Sequence, residues 1–103
     1  MDRSSSVETC TLAFFLGLTV KRLRTEKNYS QQDLANMCGL DRSYITLIEK
    51  GRKNPTLNII EKIGNSLADS AAQFMAIVAQ DTENYRKNIA RQCEGLREQV
   101  AES

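Results

Sequence analysis

The chain has 103 residues, 41% of them apolar, and a net charge of +1, which fits one folded domain plus short additions and leaves no room for a separate small-ligand domain. It has no histidine, which excludes the common zinc patterns and histidine-based catalysis; its three cysteines, Cys10, Cys38 and Cys93, are widely spaced without a CxxC pair and are expected as free thiols. No apolar run approaches a membrane span, and the start of the chain lacks the basic and apolar regions of a signal peptide, so a reduced, cytoplasmic protein is expected.

The charge is unevenly placed. Residues 16–65 carry nine Lys/Arg against five Asp/Glu, whereas residues 66–103 carry four against six. A basic middle is the asymmetry expected when one part of a chain faces phosphates.

Apolar residues recur at helical spacing, strand-like alternation is absent, and the expected class is all-α. After a flexible tail at residues 1–11, Leu12, Leu16, Val20 and Leu23 place a stripe on one face of a first helix that fades near Lys27 and Asn28. Phe14, Phe15 and Leu18 form a second apolar strip on it, one able to meet the C-terminal segment. Ser30 reads as an N-cap with Asp33 in the capping-box position, and Leu34, Ala35 and Cys38 give the second helix a short apolar face that ends at Gly39. Asp41 is the next N-cap. The third helix runs from Arg42 to about Lys50 with Ile45 and Ile48 inward, and Gly51 stops it. Thr56 caps a fourth helix in which Leu57, Ile60, Ile63 and Leu67 are expected in the core, and small Gly64 allows another helix close.

Beyond Ala68, Asp69 and Ser70 restart a helix containing Phe74, Met75 and Val78. Asp81 and Thr82 either cap a further helix or lie within one long helix. Tyr85, Ile89, Cys93, Leu96 and Val100 then form a thin apolar seam, the kind that pairs with another surface. Residues 12–68 therefore read as one domain and residues 69–103 as a helical extension.

Two short helices joined at Gly39 are marginal alone and make sense when locked over a shared core at a wide angle, the helix-turn-helix arrangement. Ser30-Gln31-Gln32-Asp33-Leu34-Ala35, Gly39-Leu40, Ile45, Ile48-Glu49, Gly51-Arg52 and Pro55-Thr56-Leu57 together resemble the phage lambda repressor/Cro helix-turn-helix family over residues 16–67. Leu40-Asp41-Arg42-Ser43-Tyr44-Ile45 is similar to controller proteins of restriction–modification systems, although the long C-terminal segment departs from the compact members. The resemblance implies a five-helix lambda-repressor-like domain with an extended C-terminal helical segment, and a third helix that enters the major groove.

On that reading Arg42, Ser43, Thr46 and Leu47 meet base edges. Arg42 matches the two acceptors of guanine, and Thr46 and Leu47 suit a thymine methyl. Gln31, Gln32, Tyr44, Arg52, Lys53 and Asn54 are expected at phosphates, with Arg22 and Arg24 as weaker candidates. Glu49 is expected in a structural salt bridge to an arginine of the first helix. The partner is double-stranded operator DNA bound by a homodimer, whose contact is expected to include Phe74, Met75, Val78, Tyr85, Ile89 and Leu96. No cofactor, metal or enzymatic activity is expected. Two alternatives stay open: an antitoxin-type DNA-binding protein whose C-terminal helices bind a toxin, and a protein-interaction module without DNA binding.

Overall fold

The computed structural model describes the backbone of residues 11–102 and the side-chain surroundings of residues 11–88. Among these residues there are five helices and no strand: α1 (Leu12–Glu26), α2 (Gln31–Cys38), α3 (Arg42–Glu49), α4 (Leu57–Leu67) and α5 (Ala71–Glu102). Cys10, Ile89, Cys93, Leu96 and the tail at 1–10 lie outside the described side chains.

Local chemistry sets the boundaries. Thr11 caps α1, and the turn after it places Asn28 at φ 62, a left-handed conformation that Asn tolerates. At α2 the Ser30 hydroxyl accepts the Asp33 N–H while the Asp33 carboxylate accepts the Ser30 N–H, each at 2.9 Å, so two donors without intrahelical partners satisfy each other's residue. Gly39 then turns left-handed at φ 68, and the Leu40 N–H donates to the Ala35 carbonyl at 2.8 Å. Asp41 precedes α3 in extended conformation, but its side chain makes no capping hydrogen bond. Gly51 closes α3 at φ 74. Thr56 caps α4 by accepting the Ile59 N–H.

The core is shared by all five helices. Leu16, Val20 and Leu23 of α1 meet Leu34, Ala35 and Cys38 of α2, Ile45 and Ile48 of α3, and Ile63 and Leu67 of α4. Two expected core residues lie outside it. Leu57 is 80% exposed and Leu12 is 58% exposed, because each sits in the first turn of its helix, beyond the neighbours that would cover it. Conversely, Phe74 and Val78 of α5 belong to this core at 0% and 1% exposure. Thr82 does not interrupt α5: its hydroxyl donates back to the Val78 carbonyl at 2.8 Å inside one continuous helix.

Two glycines permit the close approaches. A Cβ on Gly17 of α1 would fall on the Ile48 carbonyl oxygen and within 2.9 Å of that of Glu49, both at the end of α3. A Cβ on Gly64 of α4 would stand 3.0 Å from Ala71 and from Phe74 of α5. The α1–α5 contact is finished by polar and aromatic groups. Asp81 accepts the buried Thr19 hydroxyl and the Arg22 guanidinium, each at 2.8 Å. Tyr85 meets the rings of Phe15 and Phe14 edge-on at 5.2 and 6.0 Å, as expected of the second apolar strip.

Candidate nucleic-acid interface

The amphipathic α3 divides its side chains sharply. Ile45 and Ile48 are buried, Tyr44, Thr46 and Leu47 are half-buried, and Arg42 and Ser43 are exposed. With Gln32 at the start of α2, Arg42, Ser43, Thr46 and Leu47 line one shallow concave surface. An adjoining depression is lined by Gly39, Ser43, Tyr44, Leu47 and Lys53 among others, and the Lys53 ammonium lies 5.5 Å from the centre of the Tyr44 ring, within reach of a cation–π attraction. Arg52 and Asn54 are exposed in the loop after Gly51. Of the contacts expected first, all but one are thus gathered on the outer side of α3, the start of α2 and the loop after Gly51.

That exception is Gln31. Its Nε2 donates to Glu49 Oε1 at 3.0 Å, and its Oε1 accepts the Thr46 hydroxyl at 2.9 Å. The amide expected at a phosphate is engaged inside the protein, because α2 starts directly over the end of α3. Gln32, one position on, is exposed and bonds Asn36 along its own helix at 2.9 Å.

The basic residues sort into two groups. Arg24 pairs with Glu49 through Nε at 2.6 Å and Nη2 at 3.0 Å, and its Nη1 donates to the Tyr29 carbonyl at 2.9 Å. The Glu49 partner expected on the first helix is therefore Arg24. The hydrogen bond to Glu49 raises the guanidinium's pKa, with desolvation opposing it and the charge of Glu49 assisting. Arg22 binds Asp81 and Glu26, and its pKa is raised chiefly by the Asp81 hydrogen bond. Both arginines are thus structural, which corrects their reading as phosphate contacts. Arg42, Arg52 and Lys53 have no acidic partner among the described residues. Lys21, Lys27, Lys50 and Lys62 are likewise without an acidic partner among the described residues, so unneutralised charge includes, but is not confined to, α3 and the loop after it.

Phe74 and Val78 also need correcting. Expected at a dimer contact, they are interior to their own chain. Of the same set, Met75 and Tyr85 remain on the surface at 37% and 39% exposure. The sequence reading missed Gly17 and Thr19 altogether and gave Asp81 no role beyond marking a helix cap or interior. A glycine in mid-helix was the one available signal for the first.

The family model for the helix-turn-helix matches residues 20–67, spanning the C-terminal half of α1 and the whole of α2, α3 and α4. The restriction–modification controller protein C.Esp1396I bound to a 25 base pair operator site has the same fold, with a TM-score of 0.64 and 32% identity over 69% of this chain and 93% of that one. The chain belongs to the helix-turn-helix family. This helix-turn-helix protein is 38% identical over 60 residues to a hypothetical transcription factor of Neisseria meningitidis serogroup B, covering 58% of this chain and 57% of the relative. It is 31% identical over 98 residues to the immunity repressor protein of Bacillus phage phi105, covering 85% of this chain and 66% of the relative. It therefore spans less than two thirds of the length of either. Among the described residues of this family member, no helix is long and apolar enough to cross a membrane.

Proposed function

We propose that this helix-turn-helix protein is a sequence-specific transcription regulator, a repressor or autoregulator, that binds a two-fold operator as a homodimer with α3 in the major groove. The observation that carries this reading is the gathering of Gln32, Arg42, Ser43, Thr46 and Leu47 on one concave surface, with Tyr44 and Lys53 in the depression beside it and Arg42, Arg52 and Lys53 free of acidic partners among the described residues. Arg42 at the first turn of α3 forks a guanine, Ser43 and Leu47 meet neighbouring base edges, and Gln32, Tyr44, Arg52, Lys53 and Asn54 hold the phosphates. Residues 12–68 with the first turns of α5 form the DNA-binding body, and the remainder of α5, with Met75 and Tyr85, pairs with the second copy. The protein acts in the cytoplasm by binding, without catalysis. Operator binding by C.Esp1396I and the repressor function named for the phage relative support this reading.

Fluorescence anisotropy at near-physiological salt tests it, with the duplex upstream of the protein's own gene against a shuffled control. A preference of about a thousandfold or more is the expected result. Equal weak binding to that duplex, to the control and to every duplex drawn from a random pool would sink it. In that case the protein-interaction module without DNA binding would be the reading to pursue.

A further inference from the structure

The loop that carries Arg52, Lys53 and Asn54 is seated on the first turn of α1. Gly51, left-handed at φ 74, comes so close that a Cβ there would stand 3.0 Å from the Phe14 Cα and 3.5 Å from its Cβ and N. Three residues on, Gly17 lies against the Ile48 and Glu49 carbonyls, so the end of α3 and the start of the loop both rest on the stretch of α1 from Phe14 to Gly17. On the outside, Thr11, Leu12 and Ala13 share a shallow concave surface with Gly51, Arg52, Lys53 and Asn54. The loop cations are therefore placed relative to α1 and not by α3 alone.

The first turn of a helix lacks intrahelical acceptors for its N–H groups, and helix ends fray where few apolar contacts hold them. The Thr11 cap is internal to the turn and does not tie it to the body. Thr11 and Leu12 are exposed and Ala13 is small, so aromatic rings carry most of the anchoring. Phe15 is buried, and the half-buried Phe14 lies edge-on to it at 5.4 Å. Tyr85 of α5 meets both rings edge-on, at 6.0 Å from Phe14 and 5.2 Å from Phe15, and the Arg86 guanidinium lies 5.7 Å from the centre of the Phe15 ring. We propose that Phe14 is a positioning residue for DNA binding: its ring, held by Phe15 and Tyr85, fixes the α1 turn on which Gly51 seats the phosphate-holding loop. Through Tyr85, α5 supports that loop without touching DNA. The inference rests on the phosphate reading of Arg52 and Lys53 above, and its test separates the two.

The test reads the salt dependence with which the full-length chain binds a duplex of unselected sequence about one helical turn long, on which only one protomer fits, so that self-association does not enter. Arg52→Ala with Lys53→Ala sets the scale: loss of two phosphate contacts flattens the slope of affinity against salt by about two. Phe14→Ala is expected to flatten it by about one, and Phe14→Tyr, which keeps the ring, to restore it. With Arg52 and Lys53 already replaced by alanine, Phe14→Ala is expected to change the slope no further, because the contacts it positions are gone. Tyr85→Leu withdraws the facing ring, is expected to flatten the slope in the same way, and stands in where Phe14→Ala does not fold. A melting temperature that falls while the slope stays intact, a further drop in the doubly substituted background, a flattening that Phe14→Tyr does not reverse, or a slope untouched by Tyr85→Leu overturns the inference. A slope unchanged by Arg52→Ala with Lys53→Ala is a different result: it removes the phosphate reading of the loop and this inference with it.

Discussion

Arg24 and Glu49 stand 25 positions apart and meet as a two-pronged ion pair, Nε to Oε2 at 2.6 Å and Nη2 to Oε1 at 3.0 Å, tying the C-terminal half of α1 to the end of α3. Removing one partner leaves the other charge buried without compensation. Arg24→Ala or Glu49→Ala is expected to destabilise the fold by about 3–5 kcal/mol in urea unfolding, whereas Arg24→Met with Glu49→Leu together is expected to come close to wild type. Pairing raises the Arg24 pKa. On the alkaline side its contribution is therefore full at neutral pH and is lost as strongly alkaline solution strips the guanidinium in the folded state.

Gly17 and Gly39 answer to different constraints. Gly17→Ala puts a methyl on helix-end carbonyls that cannot move independently, and overpacking of about 1–3 kcal/mol is expected despite the better helix propensity of alanine. Gly39 has open space around it and a φ of +68, so Gly39→Ala is expected to lose only the left-handed strain, about 1–2 kcal/mol. Thermal melts show whether Gly17→Ala is rescued by trimming neighbouring side chains. It should not be, since the obstruction is backbone.

Operator titrations with Arg42→Ala and Arg52→Ala separate base reading from phosphate holding. Arg42→Ala is expected to lose about 1–3 kcal/mol and to relax preference at one base pair; Arg52→Ala is expected to weaken all duplexes alike and to reduce the slope of affinity against salt by about one. Equal losses for Arg42→Ala on matched and mismatched duplexes would remove it from the reading face.

Phe74 and Met75 are neighbours in sequence with opposite surroundings, 0% and 37% exposed. Phe74→Ala is expected to lose about 3–5 kcal/mol of folding stability. Met75→Glu is expected to leave the melting curve of the isolated fold nearly unchanged and to weaken self-association in sedimentation experiments. Association unaffected by Met75→Glu would move the proposed dimer contact off this face.

Asp81 is the acceptor that satisfies the fully buried Thr19 hydroxyl. Asp81→Ala is expected to destabilise by about 1–3 kcal/mol because that hydroxyl is left without its partner, and Thr19→Val in the same background should recover most of the loss. Chemical denaturation of the single and double variants checks this.

What could be read from the sequence was local. Ser30 with Asp33, Gly39, Gly51 and Thr56 mark helix ends because a cap acts on backbone within about three residues of itself, and all of them behave in the structure as their residue types require. The outward set on α3, Arg42, Ser43 and Leu47, follows equally from the spacing of Ile45 and Ile48 on one short helix. Tertiary structure decided the rest. Periodicity shows that Leu57 and Phe74 lie on apolar faces but not whether a neighbour reaches them, and one is exposed while the other is wholly buried. Gln31 sits at the start of α2, where an anion would be held, yet Glu49 and Thr46, 18 and 15 positions away, occupy its amide. Asp81 reaches Thr19 across 62 positions. Such contacts depend on which helix faces pack together, a property of the assembled core that no local pattern of residues encodes.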